Sequence, residues 1–82
     1  MHSVTKVDVL ENYLLQITFD NDETRVFDTT PYLDKGVFKR LKDKTVFKRA
    51  YVQWDTVCWP GDLDISPETL YIKSKPLDQG IW

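Results

Sequence analysis

Trp54-Asp55-Thr56-Val57-Cys58-Trp59-Pro60-Gly61-Asp62-Leu63-Asp64-Ile65-Ser66-Pro67-Glu68-Thr69-Leu70-Tyr71 is the stretch that decides how this chain closes its fold. Tyr51-Val52-Gln53-Trp54 and Val57-Cys58-Trp59 read as two strands of a hairpin turning at Asp55-Thr56. Val52 and Trp54 then share one face of the first strand, and Val57 and Trp59 one face of the next. Large aromatics normally fill the core of a small domain, so both tryptophans are expected inside, Trp59 above all. Pro60 has no N–H to donate and Gly61 accepts turn dihedrals, so the ladder is expected to stop there. Asp62 and Asp64 follow in an acidic loop. Ser66 then offers an N-cap, Pro67 a first helical position, and Glu68 a carboxylate that favours the helix dipole. Leu70, Tyr71 and Ile72 are expected to dock this terminal helical turn.

Upstream, the first third reads as β. Tyr13-Leu14-Leu15-Gln16-Ile17-Thr18-Phe19 alternates, with Tyr13, Leu15, Ile17 and Phe19 on one face of a half-buried strand. Val4–Leu10 precedes it, and Thr24–Asp28 follows a polar turn in the Asp20–Glu23 region. Together they predict a three-stranded antiparallel meander. Thr30 is placed to cap a helical turn starting at Pro31, with Tyr32 and Leu33 inward. A second short helix is expected from Val37 to about Lys42, with Val37, Phe38 and Leu41 on its inner face. Thr45 is expected to cap a third turn through Val46, Phe47 and Lys48. The fold class is α+β: meander, short helical connection, second hairpin and terminal helical turn, packed on one sheet. The domain spans residues 4–72, and 73–82 form a tail ending in Ile81-Trp82.

Eighty-two residues make one domain near the lower size limit for an unstapled core. The aromatic share of 13% supplies area that so short a chain needs. Cys58 is the lone cysteine, so no intramolecular disulfide forms; a buried thiol in a reducing compartment fits. Met1-His2-Ser3-Val4-Thr5-Lys6 lacks signal-peptide character, and no run approaches the ~20 apolar residues that span a bilayer. The expected location is the cytoplasm of a prokaryote, away from membranes.

In order, these pieces resemble domain-of-unknown-function family 2442, a group of uncharacterised bacterial proteins. The resemblance rests on Leu15-Gln16-Ile17-Thr18-Phe19-Asp20, Arg25-Val26-Phe27-Asp28, Leu41-Lys42-Asp43, Phe47 and the close from Val57 to Tyr71. It implies a small α+β fold and carries no activity. It also implies standalone proteins or domains joined to helix-turn-helix regions, some beside a second small protein in a toxin–antitoxin-like arrangement. The family pattern has Gly in the meander's hairpin turn, as in Asp-Gly, where this chain has Asn21-Asp22-Glu23.

Little here supports catalysis. His2 is the only histidine and lies near the terminus, Cys58 has no visible base, and Gly36, Gly61 and Gly80 are dispersed. Zinc ligands are lacking. Asp55, Asp62 and Asp64, with Asp28, offer oxygen to a divalent ion or a carboxylate pair, yet aspartates in turns commonly accept backbone N–H bonds instead. No cofactor or metal is expected.

Charge is the stronger lead. Residues 1–34 hold two basic and seven acidic groups, residues 35–49 seven basic and one acidic, and residues 50–82 two basic and five acidic. The basic middle interleaves Lys39, Arg40, Lys48 and Arg49 with Phe38 and Phe47. It suits an acidic protein partner, or phosphates by counterion release, or simply a solvated face. The expectation is a non-enzymatic interaction module whose partner-binding residues are Lys39, Arg40, Lys48, Arg49, Ile81 and Trp82. Self-association is open too, since a small sheet has edges to cover. The alternative is regulatory nucleic-acid binding through residues 35–49. Trp54, Trp59, Pro60, Gly61, Asp62, Asp64, Pro67, Leu70 and Tyr71 form the structural motif.

Overall fold

Leu15, Ile17 and Phe19 are fully buried in β2 (Leu14–Phe19), while the residues between them are half-buried, the two-residue period the sequence dictates. The computed structural model describes residues 2–77. β2 lies between β1 (Val4–Val9) and β3 (Thr24–Asp28), both antiparallel to it, with Val9 opposite Leu15 and Leu15 opposite Phe27. The meander is therefore as expected. Its β1–β2 turn differs in one respect: Tyr13 is not a strand residue. Asn12 and Tyr13 have φ of 61° and 63°, and the Leu14 N–H donates to the Glu11 carbonyl at 3.3 Å. This is the two-residue mirror-image turn whose twist suits a hairpin. In the next turn Asp22 takes φ 66°, a left-handed position that glycine adopts at least cost. The Asn21 side chain braces it by accepting from the Glu23 N–H at 3.0 Å.

The helical connection begins with 3-10 segments at Thr30–Tyr32 and Gly36–Lys42, followed by α1 (Lys44–Phe47). Aspartates, not threonines, fix two of these starts. Asp28 Oδ1 accepts from both the Thr30 N–H and hydroxyl, and Asp43 Oδ1 from the Thr45 N–H and hydroxyl. An ionised carboxylate is a stronger acceptor than a hydroxyl, so the threonines become donors. Leu33 and Leu41 are buried as expected, but Val37 is exposed, because the tighter three-residue turn rotates it off the inner face.

Two sheets form where one was expected. β4 (Tyr51–Gln53), β5 (Thr56–Trp59) and β6 (Leu63–Ile65) make a separate three-stranded antiparallel sheet. Pro60-Gly61 ends β5 but does not end the pairing. Gly61 at φ 91° and Asp62 at φ 64° reverse the chain, so Leu63 pairs with Trp59 and Ile65 with Val57. What read as an acidic loop is a strand. The Val4 N–H donates to the Asp55 carbonyl at 2.9 Å, linking the first sheet to the second.

Ser66 caps α2 (Pro67–Lys73) by accepting from the Thr69 N–H at 3.2 Å, and Leu70 is buried beneath it. Tyr71 packs half-buried, whereas Ile72 points to solvent. β7 (Lys75–Pro76) then joins the outer edge of β3, giving the first sheet the order β1-β2-β3-β7. Arg25 secures it, donating through Nε to Ser74 Oγ at 2.7 Å and through a terminal nitrogen to Ser74 O at 2.8 Å. The core draws Leu15, Ile17, Phe19 and Phe27 from one sheet, Val57, Trp59 and Leu63 from the other, and Leu41, Phe47 and Leu70 from the helical segments.

Candidate functional site

Both tryptophans were expected inside, but only Trp59 is. Its ring is fully buried, its Nε1 donates to the Phe47 carbonyl at 3.0 Å, and it stacks on Phe47 with centroids 6.0 Å apart. Trp54 is 78% exposed. Gln53 pairs with Thr56, so the hairpin turns at Trp54-Asp55, one residue before the expected position. Both turn residues are left-handed, at φ 57° and 61°. Such turns favour Asn or Gly, and a bulky side chain there is strained.

Tyr13 and Trp54 are thus two aromatics in left-handed turns, and they differ in what offsets the strain. The Tyr13 hydroxyl donates to Lys42 O at 2.5 Å and its ring meets Phe47 edge-on at 5.2 Å. Its carbonyl accepts from the Thr29 N–H and hydroxyl. Among the described residues the Trp54 ring has no hydrogen bond and no ring contact. Tyr51 and Val52, both exposed, precede it on β4, whose three residues all face solvent. Partly accessible apolar side chains therefore flank the approach to this hairpin tip, Tyr51 on one face of β4 and Val52 on the other.

The basic segment is less free than its composition implies. Arg40 is not a loose surface charge: a terminal guanidinium nitrogen donates to Gly61 O at 3.1 Å and Pro60 O at 3.4 Å, pinning the turn between β5 and β6. Lys42 pairs with Asp34, whose carboxyl that contact holds below its usual range. Lys35 and Lys44 lie 5.6 Å and 5.9 Å from the rings of Tyr32 and Tyr13. Lys39, Lys48 and Arg49 are exposed and make no ion pair among the described residues. Lys48 and Arg49 stand three and two positions before Tyr51, at the start of β4. Ile81 and Trp82 lie outside the described residues.

Of the four candidate carboxylates, Asp62 and Asp64 line one small pocket with Trp54 and Cys58, and Asp55 and Asp28 are not part of its lining. Asp55 sits in the hairpin turn, Asp62 in the next, Asp64 opposite Cys58 on β6, and Asp28 at its cap. Among the described residues no three His, Cys, Asp or Glu gather as metal ligands. Burial first, then the nearby Asp64 charge, pushes the Cys58 thiol up, away from nucleophilic thiolate. No described helix is long and apolar enough to cross a membrane.

One cluster had no signal in the sequence. The His2 ring stacks on Tyr71 at 3.7 Å, and the His2 N–H donates to Glu68 at 3.0 Å. The Arg25 guanidinium lies 4.5 Å from the same Tyr71 ring. The Tyr71 hydroxyl donates to Glu23 at 2.5 Å, and Arg25 pairs with Glu23 at 2.7 Å. Those two contacts, the hydroxyl's first, hold the Glu23 carboxyl below its usual range, and the Glu23 contact raises the Tyr71 phenol. It ties the amino terminus, β3 and α2 together.

A family model described as a protein of unknown function, DUF2442, matches residues 4–76. The chain belongs to that family. The DUF2442 match runs from the first residue of β1 to the last of β7, so it takes in both sheets and the Trp54 hairpin. No curated protein and no solved structure matches the chain significantly.

Proposed function

We propose that this DUF2442 protein is a non-enzymatic protein-interaction module that takes its partner on the Trp54 hairpin. The single observation carrying this reading is the strained, solvent-exposed Trp54. The turn's backbone is held by the Val4 N–H, but a fold gains nothing from a large ring there that makes no hydrogen bond or ring contact among the described residues, so the gain comes from outside. Exposed tryptophans beside other apolar side chains are the usual anchors of protein interfaces. The partner is an acidic protein segment, because Lys48 and Arg49, without an ion pair among the described residues, stand at the opposite end of β4 from Trp54.

The finer reading is that the module is one half of a toxin–antitoxin-like pair working in the bacterial cytoplasm. Cys58, buried and unpaired, suits such a reducing compartment. The test captures partners from nuclease-treated lysate of the source organism with the native chain, Trp54→Asn, and Ile72→Ala as an exposed control. A near-stoichiometric acidic protein should be lost with Trp54→Asn and with Lys48→Glu/Arg49→Glu, and retained with Ile72→Ala. Expressed alone, it should arrest growth if the pair is of that kind. Equal capture by Trp54→Asn, or capture of nothing, overturns the reading. Salt-steep DNA or RNA binding that weakens in Arg49→Ala, and not in Trp54→Asn, would put nucleic acid in its place.

A further inference from the structure

A cleft of about 610 Å³ opens between the first hairpin turn and α1, away from the features used above save for Lys48. Its size falls within the range of small-molecule sites. Val9, Leu10 and Phe47 give it an apolar lining, and Tyr13 forms part of its wall. That wall is fixed in advance, since the Tyr13 hydroxyl, ring and carbonyl are all held by the contacts described. Lys44 and Lys48 line the same cleft, four positions apart along α1 and its C-terminal cap, so that they project to one side. Neither makes an ion pair among the described residues. Glu11 is the one carboxylate lining the cleft among the described residues, which leaves an excess of positive charge there.

We propose that this cleft binds a small amphipathic organic anion, a carboxylate carried on an aromatic or branched aliphatic body. The body would leave water against Val9, Leu10 and Phe47, the non-directional part of the affinity. The carboxylate would sit between two ammonium groups that otherwise repel one another, so binding relieves a like-charge pair as it forms two attractive contacts. Glu11 opposes the same anion. A neutral isostere keeps the first contribution and loses the second, which makes the charge the discriminating feature.

The experiment is an amide NMR titration of the full chain with 4-phenylbutyrate, set beside 4-phenylbutyramide. The carboxylate should give saturable shifts centred on Asn12, Tyr13 and Lys44. Affinity should fall on the order of fivefold in Lys44→Met and in Lys48→Met, and rise in Glu11→Gln, as expected for exposed charges. The amide should bind more weakly by a similar factor. An unchanged resonance for the Trp59 indole N–H, bonded to Phe47 O, reports that each variant is folded. Equal binding of the amide, shifts centred elsewhere, or no saturable shift at millimolar concentration overturns the proposal. Trp54→Asn should leave the titration unaltered, so this site and the hairpin interface stand or fall separately.

Discussion

Trp54 and Gly61 occupy the same backbone region for opposite reasons. At φ 57° Trp54 works against the fold, so Trp54→Asn should raise stability by about 0.5–1 kcal/mol, since Asn tolerates this region. A thermal melt should then shift upward by a few degrees. Gly61, at φ 91°, works for the fold. A Cβ there would meet Arg40 Nη2 at 2.5 Å, and Arg40 already donates to the Gly61 carbonyl. That neighbour is the far end of a flexible side chain and yields cheaply, so backbone strain dominates. Gly61→Ala should cost about 1–2 kcal/mol, and adding Arg40→Ala should recover little of it. Urea melts of the single and double variants separate the two causes. The sequence made Trp59 and Gly61 legible, because a buried aromatic and a Pro-Gly turn are ordinary uses of those residues. It hid Trp54, because Val52 and Trp54 alternate like strand neighbours and no Gly or Asn marks the turn.

Elements with a clear period were the easiest to read from sequence. β2 alternates and its burial follows, and Ser66-Pro67-Glu68 opens α2 as capping chemistry requires. The elements that escaped were short and defined by pairing rather than by period. β6 has three residues, two of them apolar, behind a Pro-Gly break, and β7 has two behind a helix. Their existence depends on a neighbouring strand edge that sequence does not display. β7 has an effect beyond its size, for it covers the outer edge of β3, and an open edge is a template for aggregation. Ending the chain at Lys73 should therefore leave a folded but self-associating protein. Light scattering over a concentration series checks this, and a truncated chain that stays monomeric would assign β7 no protective role.

Across the whole molecule, charges far apart in sequence act together. Glu23, Arg25, Ser74, Tyr71, His2 and Glu68 join the amino terminus, β3 and the segment after α2. The Glu23 carboxyl is held below its usual range by the Tyr71 hydroxyl first and by Arg25 second. A depressed carboxylate contributes stability that is present above its unfolded value and disappears as pH falls through the folded one. Stability should thus decline from about pH 5 downward, and Glu23→Gln should flatten that decline. Chemical denaturation at stepped acidic pH measures it, and parallel curves for both proteins would deny Glu23 the role. None of this was legible in the sequence, since the partners lie up to 66 positions apart. The basic middle was legible as composition but not as function, because Arg40 and Lys42 are engaged within the fold while Lys39, Lys48 and Arg49 are not.

The Trp54 turn carries an evolutionary consequence. Folding alone favours Asn, Asp or Gly at this position, and under the interface proposed above it is the partner that holds tryptophan there against mutational drift. In lineages that lose the partner gene, position 54 should decay toward those small residues ahead of the buried core. The codon would then record, genome by genome, whether the interaction survives.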